Sequence, residues 1–247
     1  MNFLSLFKRN LIFKFKKKIS IDDDNTIPQS LDYLFHEYGS DKANIFKLNK
    51  QPGHGYSYYY EKKLERYKNK NLNILEIGSY AGASAAAFTK YLPKSKVYCF
   101  DVNISNFKYK SKNINVYGID INNQKKVVKT LNKIFSEQKF NQFDLIIDDG
   151  SHNLSDILIS FKFFFKYLKN KGLYVIEDFM HPNYYDYNRD IDHILVDEFL
   201  ENLKNKKTFS SNIFDNFEQK KLINSIKMIE VFKGNLNDSD ISFITKV

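Results

Sequence analysis

The chain has 247 residues, of which 43% are hydrophobic and 16% aromatic, and its formal net charge is +9. The single cysteine, Cys99, excludes a disulfide framework within the chain and favours a reducing, cytoplasmic location. No stretch reaches the roughly 18 apolar residues of a membrane span. The lysines are spread along the chain and mixed with acids, which is typical of a solvated surface, so no nucleic-acid partner is expected.

The first 20 residues mix large apolar side chains with lysine and arginine. Positive charges interrupt the apolar run too early for a secretory signal. The pattern predicts a basic amphipathic arm over residues 1–25, and it leaves several interpretations open. The arm lies on the anionic inner face of a membrane, it packs on its own domain or on a second subunit of a homo-oligomer, or it is a frayed terminus.

Helical spacing dominates residues 26–70. Pro28 is suited to the first turn of a helix, and apolar residues recur at helical spacing from Leu31 to Tyr38. Residues 41–55 are typical of a loop, and a second helix is predicted from Tyr56 to Lys68. This segment is therefore predicted to be a helical cap.

From residue 71 the pattern changes to short apolar strands that alternate with helices. The predicted strands are Asn73–Gly78, Lys96–Asp101, Asn113–Ile119, Phe143–Asp148, Gly172–Asp178, Ser225–Phe232 and Ile241–Val247. The predicted helices are Ala83–Leu92, Gln124–Ser136, Leu154–Leu168 and Ile191–Leu203. Near-continuous apolar strands between helices predict a doubly wound α/β domain whose mostly parallel sheet is covered on both faces.

Sheets of this kind bind ligands just outside the carboxyl ends of their strands. The first strand leads into a turn made of Glu76, Ile77, Gly78, Ser79, Tyr80, Ala81 and Gly82. A dinucleotide fingerprint needs a glycine where Tyr80 stands, so NAD is disfavoured. S-adenosylmethionine (SAM) has no phosphate and needs only the tight turn that Gly78 and Gly82 supply. Asp101 follows one strand–helix–strand unit later, close to the roughly 20 residues expected for an acid that binds ribose hydroxyls.

Two further groups of polar residues follow later strands. Asp120 and Asn122, after the third strand, are candidates for holding the adenine amino group. The fourth and fifth strands end in five polar residues, which are Asp148, Asp149, His152, Glu177 and Asp178. Carboxylates that converge at one edge repel each other unless a cation joins them, and oxygen ligands favour Mg²⁺, or Mn²⁺ or Ca²⁺, over zinc. A cation there lowers the pKa of a bound hydroxyl, and His152 is placed to take its proton.

These motifs together resemble a known family. The turn Glu76–Gly82 with Asp101 looks like the first two motifs of class I SAM-dependent methyltransferases. Asp148–His152, followed by Ile176–Asp178, resembles the metal-dependent sugar O-methyltransferases of macrolide biosynthesis. The resemblance implies a seven-stranded, Rossmann-like sheet with the last strand antiparallel. It also implies methyl transfer to a hydroxyl of a sugar or glycan precursor, with Asp149, Glu177 and Asp178 as magnesium ligands and His152 as the base.

The resemblance extends to the cap. Residues 38–42 and 54–56 look like the part of these enzymes that covers SAM, which makes Tyr56 a predicted cofactor residue alongside Asp148. The chain is thus expected to comprise an arm (1–25), a cap (26–70) and a SAM-binding catalytic domain (71–247). One departure is Gly118-Ile119-Asp120, where the family commonly has Gly-Asp-Gln.

The acceptor is the least determined feature. A small molecule or glycan is expected, and the aromatic stretch His181–Tyr187 is suited to stacking on a sugar ring. Three alternatives remain open, namely a small phenolic acceptor, an RNA-binding or RNA-modifying protein, and a membrane-docked scaffold without activity.

Overall fold

The computed structural model describes residues 3–22 and 30–247. Contacts divide the chain into two compact units, residues 1–141 and residues 142–247. Seven of the strands belong to one mostly parallel sheet, and helices flank the strands of each unit. The predicted doubly wound α/β fold is therefore confirmed.

The first unit includes the residues predicted to form the arm and the cap. Its helices are α1 (Phe3–Phe15), α2 (Leu31–Tyr38), α3 (Ser57–Leu64), α4 (Ala83–Tyr91) and α5 (Gln124–Gln138). Its strands are β1 (Ile19–Ser20), β2 (Asn73–Ile77), β3 (Lys96–Asp101), β4 (Tyr109–Lys110) and β5 (Ile114–Gly118). The sheet strands run in the order β5-β3-β2 and are all parallel, while β1 pairs with β4 in a separate two-stranded sheet.

Local sequence explains the elements that hold the turn after β2. The strand is apolar and its last four residues are buried, as expected for a strand covered on both faces. Helix α4 is rich in alanine, and the small side chains of Ala85, Ala86 and Ala87 are fully buried. The predicted helix start at Pro28 lies outside the described residues. Helix α2 begins at Leu31, where the Ser30 hydroxyl accepts a hydrogen bond from the Tyr33 N–H.

The second unit contains the antiparallel end of the sheet. Its strands are β6 (Phe143–Asp148), β7 (Leu168–Glu177), β8 (Ile226–Lys233) and β9 (Asp240–Lys246). Its helices are α6 (Leu154–Phe164), α7 (Asn188–Ile191), α8 (Val196–Lys204) and α9 (Asn216–Ser225). Strands β6 and β7 are parallel, and β9 runs antiparallel to both β7 and β8. The predicted antiparallel strand is therefore present.

The predicted start of β7 and the predicted helix over Ile191–Leu203 both differ from the structure. Strand β7 begins at Leu168 rather than Gly172, because the polar residues before Gly172 form an irregularity in the pairing with β6 and not a turn. The helix predicted over Ile191–Leu203 is broken at Asp192 into α7 and α8. The Asp192 carboxylate accepts hydrogen bonds from the Ser211 hydroxyl and from nearby backbone N–H groups, which fixes a turn there.

Helix α9 was not predicted at all. Its start carries a local signal, since the Asp215 carboxylate accepts from the Glu218 N–H and the Glu218 carboxylate accepts from the Asp215 N–H. Within the described residues, every helix is too short or too polar to cross a membrane.

Candidate cofactor and metal sites

The turn after β2 has the backbone that a close-fitting loop requires. Gly78 and Gly82 have φ of 83° and 78°, in the region that favours glycine. Tyr80, between them, also has a positive φ of 41°, which costs a non-glycine residue about 1–2 kcal/mol. Its ring is 69% exposed, so packing of the side chain does not explain this conformation. Backbone strain of this kind clusters at binding sites, which supports the predicted role of the turn.

Gly82 is also required by its neighbour. It precedes α4, and its N–H donates to the Ser79 carbonyl at 2.7 Å. A Cβ at Gly82 would lie 2.4 Å from the Cζ atom of Phe107, which is fully buried. The motif predicted this glycine for the tight turn alone, and the ring of Phe107 is a second reason for it.

Asp101 lies against the same turn, as the spacing predicted. Its carboxylate accepts hydrogen bonds from the Tyr80 N–H at 2.7 Å and from the Asn103 N–H at 2.5 Å. A carboxylate has about four acceptor positions, so capacity remains for the hydroxyls of a ribose. The acid and the turn therefore form a donor and acceptor set that fits a nucleoside.

Asp120 occupies the loop between β5 and α5. Its carboxylate accepts from the Asn122 N–H at 3.0 Å, and its carbonyl accepts from the Asn123 N–H. Asn123 then caps α5 by accepting from the Lys126 N–H. Asp120 is thus fixed at the carboxyl end of β5, while the exposed Asn122 is part of the same turn. Their contact with adenine stays a prediction.

Glu76 is the buried charge of this site. Its side chain is fully buried, and the Ser84 hydroxyl donates to it at 2.5 Å. Burial raises the pKa of the Glu76 carboxyl, and the charge of Lys42 opposes that rise. Lys42 is only 2% exposed and belongs to the segment that resembled the family's cofactor cover. The sequence did not predict that these two charges interact.

Tyr56 connects that segment to α3. Its N–H donates to the Lys42 carbonyl at 2.9 Å, and its ring stacks on His54 with centroids 5.3 Å apart. Its side chain is fully buried. The structure thus explains how Tyr56 is positioned, and its contact with a cofactor stays a prediction.

In the second unit, an imidazole and two carboxylates meet where β6 and β7 end. Asp149, His152 and Asp178 each offer one ligand atom, and these atoms lie within 4.8 Å of one another. His152 Nε2 is 3.7 Å from Asp149 Oδ1 and 4.0 Å from Asp178 Oδ2. The three side chains are partly buried, which leaves the cluster accessible to a ligand. The donor set fits a divalent cation that prefers oxygen ligands.

Two members of this cluster have strained backbones. His152 has φ of 55° and Asp178 has φ of 50°, and neither residue is glycine. Each costs about 1–2 kcal/mol, which the surrounding fold must offset. Backbone strain of this kind is expected at functional sites, where the position of a side chain matters more than its contribution to stability.

Glu177 and Asp148 lie beside the cluster without joining it. Glu177 is 1% exposed and pairs with Ile241 of β9. Asp148 is 3% exposed, and its carboxylate accepts from the Tyr174 hydroxyl at 3.2 Å. Burial raises the pKa of the Asp148 carboxyl to about 7, while hydrogen bonds from Ser160 and Tyr174 oppose that rise. Metal binding by Glu177 and cofactor binding by Asp148 stay predictions.

Asp240 is an acid of this edge that sequence reasoning missed. It opens β9, and its carbonyl accepts from the Asp178 N–H at 2.7 Å. Burial raises the pKa of the Asp240 carboxyl, the ion pair with Lys233 at 3.0 Å opposes the rise, and the charge of Asp178 adds to it. The available signal was topological, because an antiparallel last strand must start where β7 ends.

The aromatic stretch after β7 lies next to the cluster. The ring of His181 is 6.2 Å from that of His152 and 5.3 Å from that of Tyr185. Tyr185 in turn contacts Tyr187, and both rings are about half exposed. Exposed aromatic rings beside a candidate reaction centre are suited to stacking on a sugar or an aromatic acceptor.

Known proteins share part of this chain's sequence and fold. Residues 75–179 match the family described as "Methyltransferase domain". The matched range begins just before the glycine turn and ends just after Asp178, so it includes the carboxyl ends of β2, β3, β5, β6 and β7.

Curated relatives and a solved structure agree with the domain match. The chain is 27% identical over 132 residues to mycinamicin VI 2''-O-methyltransferase of Micromonospora griseorubida, covering 51% of this chain and 31% of that protein. It is 29% identical over 155 residues to L-olivosyl-oleandolide 3-O-methyltransferase of Streptomyces antibioticus, covering 60% and 36%. The MycE methyltransferase, solved with Mg, SAH and mycinamycin VI, superposes with a TM-score of 0.64 at 21% identity, over 88% of this chain and 54% of that one.

These matches confirm the resemblance predicted from the motifs. The MycE superposition also confirms the class I methyltransferase fold. The chain spans about a third of the length of the curated relatives it matches, and about half of the MycE chain.

Proposed function

We propose that the protein is a SAM-dependent O-methyltransferase that acts on a hydroxyl of a sugar or glycan precursor. The observation that carries this proposal is the cluster in which His152 Nε2 lies within 4.0 Å of Asp149 and Asp178 carboxylate oxygens. The relatives support it, since their names describe methylation of sugar hydroxyls on small molecules. The MycE complex with Mg and SAH supports the same two cofactors, a divalent cation and SAM.

The proposed chemistry is proton removal coupled to methyl transfer. When bound, the divalent cation lowers the pKa of the acceptor hydroxyl, and SAM offers an electrophilic methyl carbon. His152 Nε2 accepts the hydroxyl proton as the new oxygen–carbon bond forms and the sulfur–methyl bond breaks. The two carboxylates near Nε2 stabilise the resulting positive charge on the imidazole.

Three acids are proposed to hold the cation. Asp149 and Asp178 belong to the observed cluster, and Glu177 is the third candidate because it directly precedes Asp178. Mg²⁺ favours such oxygen ligands, and Mn²⁺ or Ca²⁺ are the alternatives. His152 is proposed as the base and not as a ligand.

The remaining site residues are proposed to bind SAM. Gly78, Ser79, Tyr80 and Gly82 form the turn, Asp101 accepts from the ribose, and Asp120 faces the adenine. Glu76, Tyr56 and Asp148 complete the set. We also propose the division into an arm (1–25), a cap (26–70) and a catalytic domain (71–247).

Calorimetry tests the proposed SAM site. The ligand is S-adenosylhomocysteine (SAH), the product that SAM leaves after methyl transfer, and it is titrated into the purified chain. Titrations with EDTA and with excess Mg²⁺ should both show binding, because Asp101 and the glycine turn do not depend on the metal cluster. Methyl transfer to a panel of sugar nucleotides and glycosides should appear only with the cation. A chain that binds no SAH in either buffer would refute the proposal.

A small phenolic acceptor is the second candidate. The half-exposed rings of Tyr185 and Tyr187 stack on an aromatic acceptor as readily as on a sugar. Including a catechol in the same panel separates the two, because only one class of acceptor should consume SAM at a substantial rate.

Contact of residues 1–20 with a membrane, and assembly into a homo-oligomer, are further proposals. Exposed apolar side chains on α1 support either interaction, since large apolar groups at a surface mark sites of association.

A further inference from the structure

One face of α1 is fixed to the first unit by hydrogen bonds. Two of its side chains, and that of Lys16 just after it, donate to backbone carbonyls that follow or end β3 and β5. These bonds join Arg9 to Val102 (3.3 Å), Asn10 to Gly118 (3.3 Å) and Lys16 to Ser105 (2.9 Å). On the same face Leu6 is buried, and the ring of Phe13 contacts that of Phe107. The orientation of the helix about its axis is therefore determined.

The opposite face of α1 is apolar and exposed. Phe7, Leu11 and Phe15 are 58%, 46% and 77% exposed, and their spacing of four residues places them in one strip. Ile12, 46% exposed, widens it. A surface helix of a globular protein normally turns its apolar face inward. Here Leu6 and Phe13 face inward together with polar side chains, while the larger apolar strip faces outward, so this strip has its partner elsewhere.

Lysines border this strip on both sides. At 100° per residue, Lys8 and Lys14 fall on opposite flanks of the line through Leu11 and Phe15, and both are exposed. No acidic residue stands between Met1 and Ser20 in the sequence. Long lysine side chains beside apolar ones place their ammonium groups at the level of lipid phosphates while the apolar groups enter the bilayer.

A shallow, open hollow beside the helix enlarges the same surface. It is lined by Leu11, Ile12, Phe15, Lys16 and Ser105. A surface that combines an apolar hollow, an apolar strip and flanking cations complements an anionic lipid. A second copy of α1 is less suitable, because it would bring like charges together.

We propose that this face of α1 docks the protein on an anionic lipid bilayer. The proposal goes beyond methyl transfer and does not depend on it. Because the inward face of α1 is bonded to the residues just after Asp101 and at the end of β5, docking brings the candidate cofactor turn of the first unit close to the lipid surface. An acceptor presented at a membrane would then be within reach.

Vesicle co-sedimentation of the full chain tests the proposal. Vesicles of phosphatidylcholine with about a third phosphatidylglycerol should bind the wild type, and pure phosphatidylcholine should bind it much less. Phe15→Glu should lower the partition coefficient at least about tenfold. Lys8→Gln and Lys14→Gln should each lower the partition coefficient roughly fivefold. The loss caused by either lysine substitution should become smaller as the salt concentration is raised.

Phe217→Glu is the matched control, because Phe217 of α9 is 76% exposed and lies far from α1 in sequence. It should leave binding unchanged. Equal binding by wild type and Phe15→Glu would overturn the proposal, as would wild-type protein that ignores anionic vesicles at low salt. A wild-type dimer that Phe15→Glu dissociates, without lipid binding, would assign the face to a second copy instead. SAH affinity, measured separately on Phe15→Glu, reports on the proposed methyltransferase function and not on docking.

Discussion

Replacing Gly82 with alanine tests what keeps the turn of residues 78–82 in its conformation. Two separate costs are expected from the structure. A non-glycine residue at φ of 78° costs about 1–2 kcal/mol. The new Cβ would also lie 2.4 Å from Phe107 Cζ, and overpacking a core of this kind costs about 1–3 kcal/mol more. Phe107 is fully buried against Phe13, so its ring has little room to move. The free energy of unfolding should therefore fall by about 2–5 kcal/mol.

A second glycine separates the two costs. Gly39 has φ of 79°, but a Cβ there would meet no atom within 4 Å, so Gly39→Ala should cost only about 1–2 kcal/mol. Phe107→Leu removes the three ring atoms that a Cβ at Gly82 would touch. In that background, Gly82→Ala should cost no more than Gly39→Ala. Denaturant unfolding followed by circular dichroism measures the free energy of unfolding of Gly82→Ala, Gly39→Ala, Phe107→Leu and the Gly82→Ala/Phe107→Leu double variant. If Gly82→Ala costs the same with phenylalanine or leucine at position 107, the steric argument is wrong.

Three further predictions concern the second unit. His152→Ala should abolish methyl transfer while SAH affinity, measured by calorimetry, stays at the wild-type value, whereas His193→Ala should change neither. Asp149→Asn should weaken Mg²⁺ binding at least about tenfold by titration calorimetry, since it removes a charged ligand. Paired hydrogen bonds from Arg189 lower the pKa of Glu198, so its stabilisation is present above the usual pKa of 4.5 and is lost as the pH falls through the lower folded value. The difference in unfolding midpoint between wild type and Glu198→Gln should therefore shrink below pH 4.5, and a constant difference would contradict the assignment.

The sequence predicted the carboxyl ends of the strands well, and there is a physical reason for this. Buried parallel strands are continuous apolar runs, so the first polar residue after each run is readily located. Asp101 and Asp149 were found in this way, and topology then required Asp149 and Asp178 to share one edge. The pairing of Asp148 with Ile176 places the ends of β6 and β7 side by side, as that argument expected.

Hydrogen bonds between residues far apart in the sequence could not be predicted from apolar periodicity. The break at Asp192 depends on Ser211 and Asn212, which have no periodic relation to it. Helix α9 is mostly polar and exposed, so its apolar periodicity is weak. The arm was recognised as amphipathic, but periodicity alone does not tell which face of a helix points inward. The hydrogen bonds of Arg9 and Asn10, with the burial of Leu6, identify the attached face.

The charge of Lys42 acts on Glu76 and so links the segment predicted to be a cap to the strand that precedes the glycine turn. A lysine that is 2% exposed is rare unless an opposite charge accompanies it, and the charge of Lys42 acts on Glu76 at the end of β2. Because burial still raises the pKa of Glu76, the lysine compensates only part of the desolvation of that carboxylate. Removing the lysine would leave a buried carboxylate without its opposite charge, which is more costly than replacing both groups with neutral ones. The segment around Lys42 therefore lowers the cost of burying the acid that ends β2, beside the glycine turn.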